Sequence, residues 1–211
     1  EHTRCEARAV TLDDGRVLVV GGVGQGRGDA EVFDPQTETF TLTGPLGTIR
    51  MVGFTVTKLS DGRVLVAGGD NIDGPIATAE IYDPNTNGFT SAGTLVTPRS
   101  LHTATLLDDG RVLLAGGGAG VICQPVAQSA EIFDPLAGTF SPTAGDPVVS
   151  LWGHAQARLP GGRVLLAGGE PTCGLGTSAG TRAAQIYDPA TGLFLAVGDM
   201  VEVHGPGLAA T

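Results

Sequence analysis

DDGRVLLAGGGAGVICQPVAQSAEIFDPLAGTF, residues 108–140, decides the fold. It reads as a turn, an apolar run closed by paired glycines, a loop, a shorter apolar run, a second turn and an aromatic. The same frame occurs four times. Its turn arginines are Arg16, Arg63, Arg111 and Arg163, its glycine pairs Gly21/Gly22, Gly68/Gly69, Gly116/Gly117 and Gly168/Gly169, and its closing aromatics Phe40, Phe89, Phe140 and Phe194. Self-similarity at a period of about fifty residues, with an apolar run ending in Gly-Gly and an aromatic about two dozen residues on, is the mark of a propeller blade.

Each copy reads as four antiparallel strands, A to D. Strand A precedes the turn, at about residues 4–12, 52–59, 101–107 and 152–159. The turn itself is DDGR, SDGR, DDGR or PGGR, in which glycine supplies a positive φ and the aspartate accepts local backbone N–H bonds. Strand B (RVLVVGG, RVLVAGG, RVLLAGG twice) is apolar at successive positions, as expected of a strand covered on both faces. Strand C (AEVFDP, AEIYDP, AEIFDP, AQIYDP) ends in Asp-Pro, where Asp34, Asp83, Asp134 and Asp188 suit an Asx-turn and proline ends the ladder. The six-residue step from that aspartate to the closing Phe is the same in all copies, so the four carboxylates read as turn parts in four separate blades. Strand D starts at the closing Phe, whose ring is expected to pack between adjacent blades.

The chain has 211 residues, 34 glycines and 13 prolines and no long amphipathic stretch at helical spacing, so the fold class is all-β and the repeat argues for one domain. Net charge is −10 and Lys58 is the only lysine, which leaves little to drive counter-ion release from nucleic acid or an anionic membrane. No apolar run approaches the roughly 20 residues that span a bilayer as a helix, so no membrane insertion is expected. Cys5, Cys123 and Cys173 are too few and too far apart for a zinc cluster or a Cys-x-x-Cys site.

The unit HTATLLDDGRVLLAGG…SAEIFDPLAGTFSP resembles the bacterial kelch repeat of the galactose-oxidase-like propeller superfamily, in the form with phenylalanine where tryptophan is more usual in strand D. The resemblance covers essentially the whole chain. It implies a kelch-type β-propeller with blades at about residues 4–46, 50–96, 99–145 and 152–200. Residues 201–211 (VEVHGPGLAAT) align with residues 1–11 and read as the first strand of a fifth blade. Five A strands against four B–C–D sets point to part of a larger ring of six or seven blades completed by other chain material, because closure requires equal numbers. A compact four-bladed ring is the alternative.

In this order the A–B and C–D turns lie on one side of the disc and are nearly identical in all copies. The B–C and D–A loops lie on the other and differ: GVGQGRGDA, GDNIDGPIATA, GGAGVICQPVAQSA and GEPTCGLGTSAGTRAA are B–C loops. Variable loops on a rigid frame are the expected binding face, for a protein or a glycan. The candidate ligand-binding residues are Trp152, His154, His102 and Arg99. Trp152, the sole tryptophan, is placed near the mouth of the central channel, with His154 expected on the same side of the strand, and suits carbohydrate stacking or core packing. His102 and His154 share a strand-A position that in kelch repeats holds a packed, hydrogen-bonded histidine, and no further metal ligands accompany them. The DNIDG at 70–74 lacks calcium-loop spacing and reads as a polar turn. Cys123 and Cys173, in neighbouring B–C loops, are expected to form a disulfide.

A galactose-oxidase-like copper centre calls for two tyrosines, two histidines and a cysteine. Here the only tyrosines, Tyr82 and Tyr187, stand where strand C equally accepts phenylalanine. The reading is therefore a non-catalytic interaction or structural module of a larger secreted or cell-surface bacterial protein, without cofactor or metal. A carbohydrate-binding propeller is the alternative, and an enzyme with its site in other blades a further one.

Overall fold

Where the sequence repeats Asp-Gly-Arg, the chain reverses in the same way each time. In the second copy Asp61 accepts the Arg63 backbone N–H at 3.1 Å and its Nε–H at 2.8 Å, while Gly62 takes the left-handed φ of +84° that the turn demands. Asp14 and Asp109 hold Arg16 and Arg111 identically. At the other turn of each copy Asp34, Asp83, Asp134 and Asp188 accept the N–H two residues on, the Asx-turn predicted for Asp-Pro.

The computed structural model describes residues 4–24, 29–118, 128–170 and 180–204. Among them there is no helix. Sheet one consists of strands A (Arg8–Thr11), B (Val17–Val20), C (Ala30–Asp34) and D (Thr39–Leu42); sheet two of Thr55–Lys58, Val64–Ala67, Thr78–Asp83 and Gly88–Thr94. Sheet three is Thr103–Leu106, Val112–Ala115, Ala130–Asp134 and Thr139–Pro142, and sheet four Ala155–Arg158, Val164–Ala167, Ala184–Asp188 and Leu193–Ala196. Each is antiparallel in the order A-B-C-D. Registers repeat too: Val112 faces Phe133 across B and C as Val64 faces Tyr82.

Consecutive sheets meet face to face with their A strands adjacent. Alternation along each strand gives a sheet a leading face towards the next sheet and a trailing face towards the one before. Leu18, Val20 and Val32 of sheet one meet Val64, Val66 and Tyr82 of sheet two. Leu65, Ala67 and Ile81 then meet Val112, Leu114 and Phe133, and Leu113, Ala115 and Ile132 meet Val164, Leu166 and Tyr187. Strand B of sheets two and three is accordingly buried throughout, which explains its unbroken apolar run. In sheets one and four every second residue of strand B is only half-buried.

The closing aromatics confirm the point. Each pairs with the strand-C aromatic of its own sheet, ring centroids 4.8–5.2 Å apart. Phe89, Phe140 and Phe194 pack against or within the cores between sheets, as expected. Phe40 is 57% exposed, because among the described residues no sheet covers the trailing face of sheet one. Three interfaces thus join four sheets, and no comparable packing of A strands joins sheet four to sheet one.

The backbone enters each new sheet along one track. The carbonyls of Arg50, Arg99 and Leu151 accept the N–H of Gly22, Gly69 and Gly117, the second glycine of each preceding pair. His204 does the same for Gly169 at 3.2 Å, so residues 201–204 follow that track beyond sheet four. Residues 205–211, which hold most of the expected fifth inner strand, lie outside the described residues.

Candidate binding face

The two kinds of loop predicted to share a side do so. Ends of D–A segments pair with starts of B–C loops through the bridges Val52↔Asp70, Ser100↔Gly118 and Trp152↔Glu170. Strand A begins two or three residues later, after a left-handed residue: Glu6, Gly53, Leu101 or Gly153, at φ +57° to +68°.

That feature separates Trp152 from His154. Side chains two apart share a side only in extended backbone, and Gly153 at φ +62° interrupts it; regular strand starts at Ala155. Trp152 stays half-buried on the loop side, its backbone paired with Glu170, while His154 turns into the interface between sheets three and four and is 2% exposed.

His102 and His154 play equivalent parts. His102 Nε2 meets the Thr55 hydroxyl at 3.0 Å and His154 Nε2 the Thr103 hydroxyl at 2.7 Å, each bond crossing from one sheet to the next. Thr103 is also in contact with Gln156. Both Nδ1 atoms are buried and approach the Arg99 and Leu151 main chains without reaching hydrogen-bond geometry. Burial lowers the His154 pKa to about 4 against an opposing main-chain contact. Burial, with the Arg99 charge next, holds His102 well below the usual imidazole range. Both are neutral side chains between sheets.

Arg99 is wholly buried. One terminal nitrogen donates to Gly116 O (2.7 Å) and Ser129 O (3.1 Å), the other to Ser129 Oγ (3.0 Å) and Glu131 Oε1 (2.6 Å). Glu131 in turn accepts the N–H groups of Val96 and Thr97 in the linker arriving from sheet two. Arg50 and Glu80 repeat the clasp: the guanidinium binds Gly68 O, Thr78 and Glu80, which accepts Gly47 and Thr48 N–H. In sheet four both partners change together. Leu151 stands at the arginine position and Gln185 at the glutamate position, where its amide accepts Val148 N–H and donates to Val149 O. Sequence reading missed this clasp, although its signal was present: an arginine shortly before strand A and a glutamate in strand C about thirty residues on, altered as a pair in one copy.

Asp70 opens the B–C loop of sheet two and is 2% exposed, with neither carboxylate oxygen hydrogen-bonded by a protein donor. Burial raises its pKa, and the buried Ser100 hydroxyl, which approaches it without good hydrogen-bond geometry, works the other way. Asp73 is exposed and Asn71 Oδ1 caps its N–H at 2.8 Å, so 70–74 is a polar turn with its two aspartates facing different surroundings. No group of three or more His, Cys, Asp or Glu side chains converges among the described residues. Tyr82 and Tyr187 lie in different intersheet cores, Tyr82 donating to Asn87 Oδ1 at 2.8 Å. With the histidines committed to threonines, these residues do not fit a copper-radical donor set. Cys5 is an exposed free thiol; the expected Cys123–Cys173 disulfide lies outside the described residues.

Antiparallel four-stranded sheets stacked face to face around their first strands define a β-propeller fold. Solved structures that share it include the following two. A fungal alcohol oxidase of the AA5 family, in complex with copper, superposes with a TM-score of 0.79 over 97% of this chain, at 21% identity. YjhT superposes with a TM-score of 0.71 over 94%, at 17% identity. The chain spans 46% of the oxidase and 66% of YjhT. At such identity the likeness concerns the β-propeller fold alone. No known family profile and no curated protein sequence matches the chain.

Proposed function

We infer that the chain is a run of kelch-type blades in a larger propeller and serves as a non-catalytic binding module of a secreted bacterial protein. One observation carries the reading: four buried polar side chains at the sheet junctions are committed to structure, Arg50 and Arg99 clasping Glu80 and Glu131 and His102 and His154 each bonded to a threonine of the preceding sheet. What varies between copies is the B–C and D–A loop edge, mounted on that frame, and this edge is the binding face. Propellers host enzymes and binders alike, so the oxidase neighbour bears on fold only.

The test is turnover. After incubation with Cu(II), the chain should release no hydrogen peroxide from galactose or a panel of primary alcohols; turnover above a no-protein control would overturn the reading. The carbohydrate-binding alternative rests on half-buried Trp152 at the loop side of sheet four, and a glycan array comparing the chain with Trp152→Ala separates it from protein recognition. The extracytoplasmic placement rests on Cys123 pairing with Cys173. Thiol titration of the unfolded, unreduced chain should then find one free thiol, that of Cys5.

A further inference from the structure

Each linker from a strand D to the next strand A is pinned by its backbone and leaves a side chain outside. Val96 and Val148 donate their N–H groups to Glu131 and Gln185, at 2.7 Å in both cases, and the residue before each, Leu95 or Pro147, is buried. The valine side chains stand clear of the core: Val96 is 61% exposed and Val148 48%. Both lie three residues before the carbonyl that accepts the second glycine of a pair, and Val201 has the same place before His204, at 92% exposure. In the first linker that position is Gly47, whose N–H serves Glu80 in the same way. The clasp therefore requires no apolar side chain there.

Charge on this loop edge differs from charge on the turn side. On the turn side Asp13, Asp14, Asp61, Asp108 and Asp109 each face an arginine or a lysine. On the loop edge Asp73, Asp146, Asp199 and Glu202 are exposed and form no ion pair with the described residues, and Arg182 is the exposed arginine among the side chains described there. Single exposed aliphatics are ordinary on a protein surface, but these recur at one position in three linkers, and two of the three valines follow an unpaired aspartate by two residues. A glycan platform would offer aromatic faces, and these positions hold valine. A second copy would bring another net charge of −10 to an acidic edge. A basic segment with aliphatic side chains matches both features.

We propose that this arc receives an extended basic segment of a partner protein, its aliphatic side chains on Val96, Val148 and Val201 and its arginine or lysine side chains on Asp146, Asp199 and Glu202. This rests on the loop-edge reading above and adds the chemistry of what binds.

The test uses labelled peptides of about twelve residues in which Arg alternates with Val, with Gln-Val and Glu-Val counterparts, each about 40 Å long when extended. By fluorescence anisotropy with the whole chain, the Arg-Val peptide should bind at least about tenfold more tightly than the Gln-Val one, and should loosen as salt rises from about 50 to about 300 mM. Val96→Ser and Val148→Ser should each weaken it about fivefold. Asp146→Asn with Asp199→Asn should remove most of the salt dependence. The turn-side controls Leu136→Ser and Glu38→Gln should leave binding unchanged, and all of these variants, being at exposed positions, should keep the parent Tm. No binding of the Arg-Val peptide, or binding that the valine variants leave unchanged, would overturn the proposal while leaving the loop edge as the binding face. Glycan binding lost in Trp152→Ala, without peptide binding, would put a glycan there and overturn it too. Peptide binding lost in the turn-side controls would overturn both the proposal and the loop-edge reading.

Discussion

Replacing Arg99 by leucine removes a guanidinium with no exposed surface that makes four hydrogen bonds, one of them to a nearly buried carboxylate. Glu131 would keep its two linker N–H bonds but lose its counter-charge, while Gly116 O and Ser129 O would lose their donor. Breaking a buried pair from one side costs about 3–5 kcal/mol, because the remaining charge stays desolvated. For a chain of this size that corresponds to a fall in Tm of roughly 6–20 °C. The double variant Arg99→Leu/Glu131→Gln installs the arrangement that sheet four already uses at Leu151 and Gln185, with a neutral amide bridging the linker. It should cost no more than about 2 kcal/mol, less than Arg99→Leu alone, so that the two positions are coupled by at least about 1 kcal/mol. Urea titrations of the parent, both single variants and the double variant measure all four corners of the cycle. An Arg99→Leu variant losing under about 1 kcal/mol, or a double variant at least as damaged as the sum of the singles, would refute the assignment of Arg99 to a buried structural clasp.

Acidification should destabilise the chain through its histidines. Folded His154 takes up its proton only near pH 4, whereas an unfolded histidine does so near pH 6.5, so the unfolded chain holds more protons between those values. Its contribution is whole above about pH 6.5 and is lost on the way down to about pH 4, about 3 kcal/mol in total, with His102 acting in the same direction. Asp70, whose pKa is raised in the folded chain, works oppositely as pH falls, so Asp70→Asn should steepen the acid loss and His154→Gln should flatten it. A melting temperature unchanged between pH 7 and pH 4.5 contradicts this account. Glycine substitutions should divide by neighbourhood. At Gly69, φ +94°, a Cβ would lie 2.7 Å from Phe54 Cβ and 2.8 Å from Val52 O, so Gly69→Ala should cost well over about 2 kcal/mol. At Gly138, φ +67°, a Cβ meets nothing within 4 Å, and Gly138→Ala should cost only about 1–2 kcal/mol of backbone strain. Equal losses in denaturant melts would count against close packing at the glycine pair.

Four in-register copies determined the all-β class, the position of every four-stranded sheet and both repeated turns, because each depends on residues within a few positions of one another. Asp-Gly-Arg and Asp-Pro close their turns with their own side chains, and the unbroken apolar run of strand B already indicated a strand covered on both faces. Tertiary structure alone decided what depends on the neighbouring sheet. His102 and His154, identical in sequence context to ligand candidates, are neutral ties to Thr55 and Thr103 once the sheets stack. Arg99 meets Glu131 only after two strands and a loop fold back. Trp152 parts from His154 because Gly153 leaves the extended conformation. Phe40 and Phe194 close equivalent motifs, yet one is exposed and the other buried, since burial of a sheet face is set by whether another sheet lies against it and not by the residue that occupies it.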